Sequence, residues 1–311
     1  MRERRTVVIP QIEAGERIDT ALTRCLGISR SIITKLIEDG DITVKGKSVT
    51  KSEKVSAGQV IEVLLPEPPS EDAIPLTPLA GLEIVYNDDD IVVVDKPVGC
   101  AAHPSPGWVG PTVIGALMAA GYTITTSGPV ERTGIVHRLD AGTSGLMMVA
   151  KSDRAYLALK DMFRNRTIHK VYHALVQGHM DPAEGTIDAP IDRHPVHDHR
   201  FAVVADGKES ITHYKVLEYY RSVSMVEVEL ETGRTHQIRV HFSALGHPLV
   251  GDIIYGADPT LADAMNMHRP WLHATELHFI HPITGGQINL VTKYAPDLQS
   301  SLALLSDAVL P

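Results

Sequence analysis

Gly134-Ile135-Val136-His137-Arg138-Leu139-Asp140-Ala141-Gly142-Thr143-Ser144-Gly145 runs straight into Leu146-Met147-Met148-Val149, and how this stretch is read decides the fold. Gly134 to Val136 reads as a short strand and Leu146 to Val149 as a second, fully apolar one. The charged, small-residue turn between them presents a single carboxylate, Asp140. A loop held at both ends by buried strands is a common place for reactive groups, because the scaffold fixes their direction. Taken alone, the segment leaves two readings open: Asp140 caps its own turn, or it does chemistry.

Working outward, Ile91-Val92-Val93-Val94 reads as a fully buried strand. Ser152 to Arg166 reads as an amphipathic helix capped by Ser152, with Tyr156, Leu159 and Phe163 at helical spacing. His169 to Val176 alternates as a strand, and Thr212 to Tyr220 and Ser224 to Leu230 read as neighbouring strands. Thr235 to Leu245 reads as a helix with Ile238, Phe242 and Leu245 inward, ended by Gly246 and then Pro248. Many strands with few, irregularly placed helices imply an α+β fold around a central mixed, mostly antiparallel sheet, not a doubly wound one.

A smaller unit precedes it. Glu16 to Leu26 is helical in pattern, and Ser29 is read as the N-cap of a second helix that ends at Gly40. Asp41 to Val44 reads as a strand, Lys45-Gly46-Lys47 as a turn, and Gly58 to Val63 as a closing strand. Five prolines lie between 66 and 78 among acids, as in a stiff, extended linker. The expected division is therefore 1–65, a linker over 66–80, and a large domain over 81–311.

The chain has 311 residues, 43% of them hydrophobic, and a formal charge of −9. Residues 1–66 hold eleven Lys and Arg against nine Asp and Glu, whereas 67–90 hold seven acids and no base. Screening confines such fields to about 8–10 Å, so a basic face is compatible with an acidic whole and charge alone names no partner. No apolar run is long enough for a membrane helix, and the N-terminus has only a three-residue apolar run before Pro10. With two cysteines, Cys25 and Cys100, in different domains, the expectation is reduced thiols and a cytoplasmic protein.

His137-Arg138-Leu139-Asp140-x-x-Thr143-Ser144-Gly145 resembles the active-site motif of the RluA/RluD family of pseudouridine synthases. Further segments repeat the resemblance: Asp95-Lys96-Pro97-x-Gly99 with His103-Pro104, Lys170-x-Tyr172-x-Ala174-Leu175-Val176-x-Gly178, Thr232-Gly233-Arg234-Thr235-His236-Gln237-Ile238-Arg239-Val240-His241 through Gly251-Asp252, and Leu272-His273-Ala274. Arg193-His194-Pro195 through Thr212-His213-Tyr214 is similar to the RluD branch in particular. The small unit resembles the S4 RNA-binding domain through Arg17, Asp19, Leu22, Ser29-Arg30-Ser31, Leu36-Ile37, Gly40 and Val44-Lys45-Gly46-Lys47, with Lys45 where that family usually has Asn. Two departures touch the edge of the site: Cys100-Ala101-Ala102 before His103, and Ala141-Gly142 after Asp140.

The resemblance implies an RNA pseudouridine synthase acting on large-subunit ribosomal RNA, with transfer RNA as another possible substrate. Asp140 would be the nucleophile, Arg239 its ion-pair partner, and Tyr172 either a stacking surface for the extruded uracil or a participant in removing the C5 proton. Arg138 would fill the space left by the flipped nucleotide or hold its phosphate. Arg234 and His236 would contact RNA at the site, and Arg30, Lys35, Lys45 and Lys47 would contact phosphates from the S4 unit. His137, Thr143, Ser144 and Gly145 would shape the loop. The expected enzyme is a monomer with no membrane association.

The reaction transfers no electrons and hydrolyses nothing, so no cofactor is expected. His194, His197 and His199 invite a metal reading, but no Cys or acid accompanies them at a familiar spacing and no metal is expected. The alternative from another class is a catalytically silent S4-domain RNA-binding or ribosome-assembly factor. Loss of Asp140, Tyr172 or Arg239 would have favoured it, and all three are present.

Overall fold

A computed structural model describes residues 4–26, 30–65, 74–105, 108–195 and 200–306. The chain divides into two compact units, Met1–Ala73 and Ile74–Pro311. Residues 74–80, read from sequence as the end of the linker, belong to the second unit. Ile74 is buried in its core, and Leu79 and Leu82 pack against the same cluster.

In the first unit, β1 (Arg4–Val8), α1 (Ile18–Leu26), α2 (Arg30–Glu38), β2 (Ile42–Val44), β3 (Lys47–Ser48) and β4 (Val60–Leu64) follow in order. The strands form a sheet in the order β1-β4-β2-β3. Ile18, Ala21 and Leu22 of α1 and Ile33, Leu36 and Ile37 of α2 bury one face of each helix against Ile42, Ile61 and Val63. Lys45 and Gly46 both take positive φ, 49° and 75°, which turns the chain tightly between β2 and β3. Lys35, Lys45 and Lys47 are exposed. The Ser29 cap and the Arg30 side chain lie outside the described residues.

In the second unit, the strands and principal helices are β5 (Glu83–Asn87), β6 (Ile91–Lys96), α3 (Val113–Ala119), β7 (Ser144–Ala150), α4 (Asp153–Arg164), β8 (His169–Gln177), β9 (Glu184–Asp188), β10 (Ile191–Arg193), β11 (Phe201–Val203), β12 (Ile211–Tyr219), β13 (Val223–Leu230), α5 (Gln237–Ala244), α6 (Pro259–Ala264), β14 (Leu272–Ile280), β15 (Gln287–Val291) and α7 (Pro296–Ser306). Among the described residues the main sheet runs β5-β6-β7-β14-β8-β13-β12-β9, with β15 on β14. The β7–β14 pair is parallel and the other pairs are antiparallel, so the sheet is mixed and mostly antiparallel.

Both faces of the central strands are covered, which explains their unbroken apolar runs. Every residue of β7 is buried. Met147 and Val149 join the cluster beneath α3 and α5, whereas Leu146, Met148 and Ala150 join the one beneath α4. Ser152 caps α4 by accepting from the Ala155 N–H at 3.2 Å. Gly145 permits the β7–β14 approach: a Cβ there would lie 2.3 Å from the Ala274 carbonyl oxygen, and its φ is +112°. Gly145→Ala is expected to cost about 1–3 kcal/mol in overpacking, with a further penalty for the left-handed backbone. Urea unfolding should show this as a lower midpoint at unchanged m-value.

Two expectations need correction. Gly134 to Val136 is not a strand: Gly134 has φ +69°, and Ile135 makes only an isolated bridge to Val149. The Gly134 carbonyl accepts from the Ala150 N–H at 2.9 Å and anchors the loop without a ladder. The helix expected over Thr235 to Leu245 begins at Gln237, because His236 lies in the left-handed region at φ 57°. It ends at Ala244, so Leu245 sits past the last turn and is 45% exposed instead of inward.

Candidate active site

The Asp140 loop is pinned before and after the carboxylate. The Thr143 N–H donates to the Asp140 carbonyl at 3.0 Å, and the Gly99 N–H donates to the Ala141 carbonyl at 2.9 Å. Beneath it, fully buried Lys96 donates from Nζ to the carbonyls of Cys100 and Pro97 at 2.8 and 3.0 Å. Burial pushes the Lys96 pKa down to about 8, against the pull of nearby groups that include Asp140.

His137 enters the loop as a structural member. Its Nε2 accepts from the Met148 N–H at 2.9 Å, and its ring stacks on Phe163 at 4.8 Å. That acceptor role requires the neutral ring protonated at Nδ1. Burial, with Lys170 nearby, pushes its pKa down to about 3. Since the folded-state pKa lies below the ordinary value of about 6.5, the unfolded chain takes up the proton first and stability falls as pH drops from about 6.5 towards 3. His137→Asn should flatten this acid limb in unfolding measured across that window.

Arg239 projects from α5 and is 6% exposed. Its strongest partner is Asp252, to which Nε and Nη2 donate at 2.6 and 2.9 Å. Its Nη1 reaches the Asp140 carboxylate at 3.5 Å. The expected Asp140–Arg239 pairing is therefore long, and the close bidentate pair is with Asp252. Burial alone would lower the Arg239 pKa, but the hydrogen bond and charge of Asp252, helped by Asp140, outweigh it and raise it. The guanidinium carbon also lies 4.8 Å from the Tyr255 ring centroid.

His236 completes this wall. Its left-handed backbone directs the ring so that Nδ1 shares a 2.8 Å hydrogen bond with the Tyr255 hydroxyl while Nε2 lies 3.8 Å from Asp140. Burial lowers the His236 pKa despite the pull of Asp140, so at neutral pH this is no ion pair. The Tyr255 hydroxyl accepts from the Phe201 N–H at 3.1 Å, which ties the β10–β11 hairpin to the same wall. Gln237, buried at the start of α5, accepts from the Arg234 N–H and the Thr232 hydroxyl and donates to the Ile211 carbonyl. These bonds fix the turn that carries Arg234 and His236.

A cleft of about 370 Å³, open solvent at its mouth included, is lined by Arg138, Asp140, Thr143, Tyr172, Arg234, His236 and Arg239, with Leu139, Leu230, Gln237, Ile238 and Leu272. Arg138 and Arg234 are exposed at its rim, and Tyr172 is buried on β8. Burial, then the Asp140 charge, pushes the Tyr172 pKa up, so its phenol stays protonated at neutral pH. Ser144 and Gly145 lie buried beneath the cleft, and Lys35, Lys45 and Lys47 belong to the other unit. Sequence reasoning gave Asp252 and Tyr255 no role, although Gly251-Asp252 lay within a quoted motif. Among the described residues no group of three or more His, Cys, Asp or Glu is arranged to hold a metal ion. His197 and His199 lie outside the described residues.

A mixed sheet carries a cleft with Asp140 and Arg239 on its walls and Asp252 holding the arginine, and a smaller unit of two helices and a four-stranded sheet precedes it. The family model described as RNA pseudouridylate synthase matches residues 90–244, and the S4 domain model matches residues 16–61. The chain is 52% identical over 301 residues to an uncharacterized RNA pseudouridine synthase of Mycobacterium bovis, covering 97% of this chain and 98% of that protein. It is 40% identical over 307 residues to the ribosomal large subunit pseudouridine synthase D of Nitrosomonas europaea, covering 95% and 86%. Among solved structures, human RNA pseudouridylate synthase domain containing 1 superposes with a TM-score of 0.57 at 30% identity, over 71% of this chain and 87% of that one. The chain belongs to the RNA pseudouridine synthase family and carries an S4 domain, and its activity is that of an isomerase. No described helix is long and apolar enough to cross a membrane.

Proposed function

We propose that this enzyme isomerises specific uridines of large-subunit ribosomal RNA, with Asp140 as its nucleophile. The observation that carries the reading is the Asp140 carboxylate in a cleft beside a buried arginine that Asp252 already holds in place. Similarity to ribosomal large subunit synthases supports the substrate class. Action as a monomer in the cytoplasm completes the proposal; Cys25 and Cys100, which form no disulfide, accord with a reducing compartment.

The isomerisation breaks the N1–C1′ bond and forms a C5–C1′ bond. The proton on C5 leaves and N1 gains one, so atoms and electrons balance without a cofactor. A uridine reaches Asp140 only by leaving its stack, at a cost of a few kcal/mol. Arg138 and Arg234 at the rim supply positive charge for the flipped nucleotide's phosphates, and Arg138 takes the space it leaves. His236 contacts the RNA from the inner wall. Asp140 attacks the sugar or stabilises its cationic form, while Arg239 aims the carboxylate from its anchored position on Asp252. A protonated Tyr172 offers a neutral ring on which the uracil stacks, and its raised pKa weighs against a role as proton acceptor. Arg30, Lys35, Lys45 and Lys47 contact phosphates from the S4 domain, and His137, Thr143, Ser144 and Gly145 hold the loop.

The test uses the purified full chain on transcripts of large-subunit ribosomal stem-loops and of transfer RNAs, with pseudouridine mapped at single-nucleotide resolution. Conversion of ribosomal transcripts is expected. Conversion of transfer RNA alone would move the substrate class, and tight binding with no conversion would favour the silent RNA-binding factor.

A further inference from the structure

The segment between α6 and β14 and the C-terminal helix α7 carry no sequence motif, yet the segment reaches the loop that holds Asp140 and α7 grips the segment. Arg269 is 8% exposed, and each of its five N–H groups has an acceptor within reach. Nε and Nη2 donate to the two oxygens of Asp297 at 2.7 and 2.9 Å. The second Nη2 proton goes to the Ser144 hydroxyl at 3.1 Å, and Nη1 donates to the carbonyls of Gly142 and Leu272, both at 3.2 Å. Gly142 and Ser144 lie two and four residues beyond Asp140.

The same segment also touches the opposite wall. A Cβ built on Gly142 would meet Pro270 at 3.4 Å, and one on Gly251 would lie 2.1 Å from the Arg269 carbonyl oxygen. Gly251 immediately precedes Asp252, the close partner of Arg239. Arg269-Pro270 therefore sits against both loops whose spacing sets the Asp140–Arg239 distance. No other ion-pair partner of Arg269 is needed to hold it: the bidentate fork on Asp297 fixes the guanidinium plane, which a lysine ammonium would not do.

We infer that Arg269 is a positioning residue for the loop that carries Asp140, and that Asp297 in the first turn of α7 orients it. The inference rests on the reading of Asp140 as nucleophile. Burial would raise the Asp297 pKa, but hydrogen bonds and charge from Arg269 lower it, so the Asp297 carboxylate stays ionised at working pH. α7 has a separate anchorage: Leu298 is fully buried beside Trp271, whose indole N–H donates to the Ser301 hydroxyl at 2.7 Å. Loosening Asp297 therefore leaves the helix docked, and the consequence falls on the loop.

The test compares Asp297→Asn, Asp297→Glu and Arg269→Lys in the full chain, each assayed well below its own melting temperature. Single-turnover pseudouridine formation is read on a transcript that the wild type converts, and the RNA Kd is measured separately. Asp297→Asn and Arg269→Lys are expected to lose roughly 10- to 100-fold in rate, with the RNA Kd held within about twofold. Asp297→Glu restores most of the rate, because a carboxylate again meets the fork. Wild-type rates in both Asp297→Asn and Arg269→Lys, or a defect wholly in RNA affinity, would overturn the inference. Asp140→Asn runs in parallel. If it is active, the premise fails and both readings fall. If it is inactive while Asp297→Asn and Arg269→Lys are fully active, this inference alone falls.

Discussion

Asp140→Asn yields a folded protein that binds RNA and forms essentially no pseudouridine. The amide keeps the size of the carboxylate and removes its charge and nucleophilicity. Because Asp252 satisfies Arg239 at 2.6 and 2.9 Å, while Asp140 lies at 3.5 Å, the arginine is not left as an uncompensated buried charge. The stability change should stay near the ordinary range for a partly exposed site, within about 1 kcal/mol. The rate should fall at least about 10⁴-fold, as when an essential nucleophile is removed elsewhere. Single-turnover assays against thermal unfolding check both halves. A stable variant with substantial residual rate would contradict the assignment.

Arg239→Met has the second large effect, and it acts on stability and rate together. Asp252 is 1% exposed, and removing its guanidinium partner leaves a buried carboxylate unpaired, a loss of about 3–5 kcal/mol. Asp140 loses its only close cation on α5, so the rate should fall roughly 10²-fold or more. In the double variant Arg239→Met/Asp252→Asn the unpaired charge disappears, and stability should recover part of the loss. The coupling energy from the double-mutant cycle is expected to be of order 1–3 kcal/mol. Additive effects would mean that Asp252 does not hold Arg239, and a full rate in Arg239→Met would remove it from the site.

The sequence carried much of this and left out specific parts for physical reasons. Asp140, Tyr172, Arg234, His236 and Arg239 sit in motif strings, and the fold brings them to one cleft. Apolar periodicity located β6, β7, β8, β12, β13, α4 and α5 to within a residue or two. The order of Arg239's partners was not legible, because Asp252 is thirteen residues away beyond a helix end and only burial shows which carboxylate is nearer. Gly134 looked like the start of a strand, since composition does not reveal a positive φ. Leu245 looked inward by period, but the helix ends one residue before it. Arg269 and Asp297 meet across β14 and β15, a pairing with no local periodicity to announce it.

The most direct measurement is pseudouridine mapping of ribosomal and transfer RNA from cells lacking this protein, restored with wild type or with Asp140→Ala. Sites in large-subunit ribosomal RNA should disappear in the deletion and return only with wild type. If no site changes, or if Asp140→Ala restores them all, Asp140 is not the nucleophile and the chain acts on RNA by binding alone.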